Sequence, residues 1–188
     1  MSPRPPLQIV VLAAGASRRF GSPKQLFPVR GRPMLGRTIQ LAKHVAGRSV
    51  TVILGAHAAQ LSGLVRNSGA TIVVNRDWRE GLSSSIRAGI LSLPADCAGA
   101  MLMLGDQFAL RRADLRRLAS TWRRAPLSTV AAQYGGVLGA PAIFPRSRFG
   151  QLAALRGDHG AQSLLRDTVD GVVPVPMETA AFDLDLPM

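Results

Sequence analysis

Leu7-Gln8-Ile9-Val10-Val11-Leu12-Ala13-Ala14-Gly15-Ala16-Ser17-Arg18-Arg19-Phe20-Gly21-Ser22-Pro23-Lys24 is the stretch that decides the fold. Its first seven residues form a nearly unbroken apolar run, the pattern of a buried strand, which gives way to small residues, glycine and charge. A strand that runs into a glycine-rich loop and then a helix exposes backbone N–H groups able to converge on phosphate oxygens. Small residues at Ala14, Gly15 and Ala16 let the chain approach a ligand closely, while Ser17, Arg19 and Lys24 supply donors and positive charge. The spacing is not that of a Walker A loop, in which glycine directly precedes lysine and a serine or threonine, nor that of the dinucleotide Gly-x-Gly-x-x-Gly. The usual kinase and dehydrogenase loops are therefore disfavoured.

Working outward, apolar runs alternate with segments of helical period, the signature of β-α-β units around a largely parallel sheet. Pro33 suits the first position of a helix whose apolar face recurs through Met34, Leu35, Thr38, Leu41, Ala42 and Val45. Val50 to Leu54 is a second strand, a helix follows around Ala58 to Arg66, and Ala70 to Val74 is a third strand leading to a polar loop, Asn75 to Gly81. Leu82, Ile86 and Ile90 mark a helix whose first turn carries Ser83, Ser84 and Ser85. Ala100 to Leu104 is a strand that stops at Gly105-Asp106-Gln107, which puts Asp106 at a strand's carboxyl end, before an arginine-rich helix through Leu115 and Leu118. From Ser128 the pattern shortens to extended pieces, Thr129 to Gln133 and Pro141 to Phe144, which reads as an inserted or edge β element. Asp158 is expected to cap a short helix over Gly160 to Arg166, and Gly171 to Val175 is a late strand. No linker, repeat or low-complexity segment interrupts the chain, so residues 1–188 read as a single α/β domain.

Composition narrows the function classes. The 188 residues, 47% hydrophobic, suffice for one core that buries roughly 70% of the unfolded surface. One cysteine, Cys97, excludes an internal disulfide framework, no Cys/His spacing suggests zinc, and a reducing cytoplasm is the expected compartment. Arg4 and the apolar run to Ala14 mimic a signal peptide, but the run is short and Arg18, Arg19 and Lys24 follow at once. No apolar stretch approaches the ~20 residues that span a bilayer, so no membrane partner is expected. The net charge of +12 comes from 21 arginines and two lysines scattered along the chain, without a basic tail and with only 5% aromatic residues. That distribution suits a solvated surface attractive to polyphosphates better than a nucleic-acid platform.

The loop sequence L-A-A-G-A-S-R-R-F-G-S-P-K-Q-L resembles the signature of nucleotidyltransferases related to the molybdenum-cofactor enzymes, the MobA-like NTP transferases, and most of all their molybdenum-cofactor cytidylyltransferase branch. Further stretches match in order. Asn75-Arg76-Asp77-Trp78-Arg79-Glu80-Gly81-Leu82-Ser83-Ser84-Ser85-Ile86 is similar to the family's asparagine, tryptophan, glycine and serine segment, and Leu104-Gly105-Asp106-Gln107 to its strand-end aspartate motif. Gly139 to Pro145 resembles its Gly-x-Pro-x-x-Phe element, Gly157-Asp158-His159-Gly160-Ala161 its late glycine-aspartate loop, and Asp183-Leu184-Asp185-Leu186-Pro187 its closing motif. Leu186 stands where the family has threonine, Gln107-Phe108 replaces a pair ending in proline, and Met188 closes the chain before the family's usual terminal helix.

The resemblance implies a three-layer, Rossmann-like nucleotidyltransferase fold with a mostly parallel sheet and a small β insertion. It also implies attack of a substrate phosphate on the α-phosphorus of a nucleoside triphosphate. CTP is the expected triphosphate and a molybdopterin-type phosphate the acceptor, with a molybdoenzyme or its chaperone as a further partner. Lys24 and Arg19 are assigned to the triphosphate, with the loop from Leu12 through Ala13, Ala14, Gly15, Ala16 and Ser17 around the base and phosphates. Asp106 and Asp185 are the candidate Mg2+ ligands, Asp183 being the alternative to Asp185, and helix capping the alternative role for Asp106. Asn75, Ser84 and Ser85 are candidate base or ribose contacts, capping being the alternative for the serines. Two other activities compete: guanylyl or other nucleotidyl transfer to a different phosphorylated acceptor, and an NAD(P)-dependent oxidoreductase. Against the second stands the missing Gly-x-Gly-x-x-Gly.

Overall fold

A computed structural model describes residues 6–158, 160–166 and 171–183. The chain runs through β1 (Leu7–Ala13), the short antiparallel pair β2 (Pro28–Val29) and β3 (Arg32–Pro33), α1 (Met34–Ala46), β4 (Val50–Leu54), α2 (Ala58–Ser68) and β5 (Thr71–Val74). It continues with α3 (Leu82–Leu91), β6 (Gly99–Leu104), α4 (Arg112–Arg124), β7 (Thr129–Tyr134), β8 (Val137–Pro145), α5 (Phe149–Ala153), α6 (Gln162–Arg166) and β9 (Val172–Pro176). Pro33 precedes α1 in an extended conformation rather than opening it, because its φ and ψ of −53° and 135° belong to the small hairpin it closes with Pro28.

Seven strands form one sheet in the order β5-β4-β1-β6-β8-β7-β9, with β5, β4, β1 and β6 mutually parallel. Side chains alternate across β1, and that alternation sorts the helices into layers. Ile9, Val11 and Ala13 pack with Leu35 and Ile39 of α1, Leu61 and Val65 of α2, and Leu115 and Trp122 of α4. Val10 and Leu12 face the other way, onto Ile86 and Ile90 of α3, Leu152 of α5 and Leu165 of α6. The result is a three-layer α/β/α domain, and the apolar run in β1 is explained by its burial on both faces. Ile39 is fully buried, so truncation to alanine would cost about 2–5 kcal/mol in the cavity it leaves.

One expectation is corrected. The hairpin of β7 and β8 is not at the edge of the sheet: β8 lies between β6 and β7, antiparallel to both, and β9 forms the edge beside β7. Turn residues Gly135 and Gly136 reveal the hairpin locally, but where it docks depends on nonlocal pairing such as Met101 with Ile143.

Register levels the carboxyl ends of the parallel strands. Ala13 stands opposite Leu54, Leu12 opposite Leu104, and Leu54 opposite Val74. The loops that follow β1, β4, β5 and β6 therefore open on one rim of the sheet, the place where open α/β sheets bind ligands.

Candidate active site

A cleft of about 710 Å3 opens at that rim. One side is the loop after β1, from Leu12 to Phe20 with Lys24 and Gln25; the opposite side is the segment from Trp78 to Leu82 with Ser85 and Asp158; Leu104, Gly105 and Asp106 form the floor.

The loop after β1 is held from both flanks. Gln25, 3% exposed, donates through Nε2 to the carbonyls of Ala13 (3.4 Å) and Gly15 (3.2 Å), while its Oε1 accepts from the Ser17 hydroxyl at 3.3 Å. The intervening carbonyls turn the other way: that of Ala14 accepts the Ala56 N–H at 3.1 Å, and that of Ala16 contacts His57 Nε2 at 3.0 Å. A carbonyl only accepts, so His57 carries its proton on Nε2 in this contact. Each peptide is planar, hence anchoring these oxygens also fixes the N–H that follows each one. Ser17 adopts a left-handed φ of 51°, and its hydroxyl accepts the Lys24 N–H at 3.2 Å, folding the loop back so that Lys24 returns to the strand end.

Lys24 Nζ lies 2.6 Å from Asp106 Oδ2, with the two side chains 17% and 19% exposed. The other carboxylate oxygen, Oδ1, is buried and has no hydrogen-bond partner among the described residues. Asp106 does not cap the following helix: in α4 that role belongs to Asp114, whose Oδ2 accepts the Arg111 N–H at 2.9 Å. The turn that carries Asp106 is fastened on all sides. Gly105 donates to Leu12 O (2.9 Å), Gln107 Nε2 bridges the carbonyls of Ala140 (2.7 Å) and Ala180 (3.1 Å), and Arg37 donates to Phe108 and Leu110 carbonyls at 3.3 and 3.0 Å. Burial, with a smaller push from Arg30, lowers the pKa of Arg37.

Across the cleft, the Arg79 guanidinium stacks 4.6 Å from the Trp78 ring centroid. Asn75 and Ser84 stand behind this wall rather than in it. Asn75 Nδ2 donates to Ser84 Oγ (2.8 Å) and Ser85 Oγ (3.0 Å), and Ser84 donates to Gly81 O at 2.8 Å. Asn75 and Ser84 thus shape the turn into α3, and Ser85 is the member of the group that lines the cleft. Asp158 caps α3, not the later helix expected from its sequence neighbours: its Oδ1 accepts the Leu82 N–H at 3.1 Å, next to Gly81 with φ of 103°. A Cβ at Gly81 would come within 2.6 Å of that same carboxylate oxygen.

Of the residues singled out in the sequence, Leu12, Ala13, Ala14, Gly15, Ala16, Ser17, Arg19, Lys24, Ser85 and Asp106 line one cleft. Asp185 and His159 lie outside the described residues, and Asp183 is exposed and does not line the cleft. Gln25, Gly55, His57 and the true partner of Asp158 escaped sequence reasoning. Gln25 had a local signal, a lone amide directly after Lys24 inside the loop signature; His57 had none.

Asp106 suits a hard divalent cation, because a carboxylate oxygen is already buried there without a donor among the described residues. No group of three or more His, Cys, Asp or Glu gathers among the described residues. A cation at Asp106 would complete its shell largely from phosphate oxygens and water, as magnesium commonly does. Among the described residues, no helix is long and apolar enough to cross a membrane.

Comparison with known proteins agrees with this geometry. Residues 9–172 match the model of the MobA-like NTP transferase domain. The chain is 33% identical over 121 residues to the bifunctional protein GlmU of Kineococcus radiotolerans, covering 62% of this chain but only 25% of that one, so it spans about a quarter of that relative's length. It is 32% identical over 168 residues to nicotine blue oxidoreductase of Paenarthrobacter nicotinovorans, with 84% and 80% of the two chains covered. The crystal structure of Rv0371c from Mycobacterium tuberculosis in complex with manganese superposes with a TM-score of 0.77 at 31% identity, over 91% of this chain and 88% of that one. With its sheet order, its strand-end cleft and a family match over most of its length, the chain belongs to the MobA-like NTP transferase domain family.

Proposed function

We propose that the chain is a magnesium-dependent nucleotidyltransferase that moves CMP from CTP to the terminal phosphate of a molybdopterin-type acceptor and releases pyrophosphate. The observation that carries the reading is the meeting of Lys24 and Asp106 at the floor of a cleft walled by the β1 loop. In this reading Lys24 and Arg19 neutralise the triphosphate, and the backbone of Ala14, Gly15 and Ala16 seats it. Gln25 and His57 hold that backbone in place. An oxygen of the acceptor phosphate forms the new bond to the α-phosphorus, the bond from that phosphorus to the bridging oxygen breaks, and pyrophosphate carries away the electron pair. The acceptor needs no strong base, since a phosphate monoester with a second pKa near ~6 is already largely ionised at neutral pH. Asp106 would hold the cation, with Asp185 as its expected second ligand. When bound, the cation supplies charge neutralisation on the phosphates. That Rv0371c forms a complex with manganese supports the use of a divalent ion.

The test is to incubate the protein with magnesium and each of the four nucleoside triphosphates, with and without molybdenum cofactor, and to measure pyrophosphate. Release with CTP that depends on the cofactor is the expected result. Release with GTP or another triphosphate would move the assignment to that nucleotide, and silence with all four would sink it. The resemblance to nicotine blue oxidoreductase favours one second reading, an NAD(P)-dependent reduction. Oxidation of NADH or NADPH by a dye acceptor, without pyrophosphate release in the first assay, would establish that reading instead.

A further inference from the structure

Lys24 and Asp106, assigned above to two different ligands, bind each other. Nζ sits 2.6 Å from Oδ2, and about four-fifths of each side chain is shielded from water. We propose that Lys24 is the resident counter-ion of Asp106. A divalent cation and a triphosphate must then displace this pairing together, and the cleft takes the metal–triphosphate complex far better than either component alone. The inference rests on the reading of Asp106 as metal ligand and Lys24 as phosphate ligand.

The carboxylate has little freedom to escape the ammonium. Its turn is tied by Gly105 to Leu12 O at 2.9 Å and by the Gln107 amide to two carbonyls, and Thr38 Oγ1 donates to Gly105 O at 3.4 Å. Lys24 is held just as firmly at its own backbone, where its N–H donates to Ser17 Oγ. A cation arriving alone at Oδ1 meets an ammonium already paired with the neighbouring oxygen of the same carboxylate, in a partly desolvated site where like charges repel strongly. A triphosphate arriving alone meets the Asp106 carboxylate beside the lysine it needs. When both arrive, Lys24 moves to phosphate and Asp106 to the cation, and every charge keeps an opposite partner. Oδ1, buried and without a hydrogen-bond partner among the described residues, is the oxygen that would receive the cation. Because coupling between two ligands is reciprocal, each must raise the affinity of the other by the same factor.

Two binding measurements without acceptor test this, neither depending on turnover. Free Mn2+ is titrated by electron paramagnetic resonance in the absence of nucleotide, and CTP is titrated by calorimetry in EDTA, with melting curves verifying that each variant is folded. Lys24→Gln is expected to tighten Mn2+ binding about tenfold, a typical size for coupling between sites. Lys24→Arg, which keeps the charge, should leave it weak. Asp106→Asn is expected to abolish Mn2+ binding and yet tighten metal-free CTP severalfold, by removing the carboxylate charge that competes with phosphate for Lys24. If Lys24→Gln binds Mn2+ no tighter than the wild type, or Asp106→Asn binds CTP in EDTA no tighter, Lys24–Asp106 is a fixed structural pair and the proposal is overturned. Wild-type Mn2+ affinity in Asp106→Asn would overturn it together with the metal reading of Asp106, whereas the first failure alone leaves that reading standing.

Discussion

Replacing Gly55 with alanine should loosen both the fold and the nucleotide site, and the size of the effect follows from three distances. A Cβ at this position would lie 2.6 Å from Ala14 O, 2.7 Å from Trp78 Cβ and 2.8 Å from Ala14 Cβ. All three obstacles are backbone or the root of a side chain, so no rotamer change relieves them. Ordinary carbon contacts begin near ~3.5 Å, so the β1 loop and the Trp78 turn would have to retreat by roughly 0.7–0.8 Å. Such overpacking costs about 1–3 kcal/mol. The retreat also strains the hydrogen bond from Ala56 N–H to Ala14 O, now 3.1 Å, which is worth about 1 kcal/mol. A total of about 2–4 kcal/mol corresponds to a melting temperature lower by roughly 4–16 °C for a chain of this length. Calorimetric melting measures it, and a parallel CTP titration should show weakened binding, because the displaced loop is the phosphate wall. Gly15→Ala is the contrasting variant. Beyond its chain neighbours, no atom of the described residues lies within 4 Å of a Cβ there, so its stability should stay within about ±0.5 kcal/mol while the new methyl group narrows the cleft and weakens CTP. Gly55→Ala melting with the wild type and binding CTP equally well would refute the view that the β4 end braces the loop.

Gln25→Leu removes three hydrogen bonds of 3.2–3.4 Å from the loop and should raise the KM for the triphosphate about tenfold with a smaller change in kcat, as steady-state kinetics would reveal. Asp106→Ala should lower turnover by at least ~100-fold without a change in far-ultraviolet circular dichroism; retained turnover would remove Asp106 from the chemistry. Asp158→Ala uncaps α3 and should cost about 1 kcal/mol in urea unfolding, whereas Asp158→Asn keeps the accepting oxygen and most of the stability; equal losses would deny the cap. Burial raises the Cys97 thiol pKa above its unfolded value. The protonated native form is thus favoured: this contribution to stability is complete below the unfolded pKa of about 8.5 and is lost as pH rises through the higher folded value. Native protein at pH 8 should therefore resist a thiol reagent that labels it at once in urea, and fast native labelling would contradict the burial.

Much of the site was legible because its parts are local. The β1 run announces burial on both faces, and the loop from Ala14 to Lys24 carries its small residues, donors and charge in one uninterrupted segment. Asp106 was legible too, since an apolar strand that breaks at Gly105 puts the next residue on the sheet's rim. Asn75, Ser84 and Ser85 show the limit of such reading. The pattern groups them, and the amide of Asn75 donates to both serine hydroxyls, yet Ser85 alone of the three lines the cleft.

By itself, then, the sequence determined the layers, the parallel half of the sheet and the loop that faces phosphate, because strand burial, helical period and glycine placement act over a few residues at a time. Only the tertiary structure decided which distant groups complete the site. The hairpin of β7 and β8 enters the sheet through cross-strand pairing, Asp158 reaches back 76 residues to cap α3, His57 crosses 41 residues to the Ala16 carbonyl, and Lys24 finds Asp106. Each of these contacts depends on where the chain returns in space, and chain return is set by the packing of the whole core rather than by any neighbour in sequence.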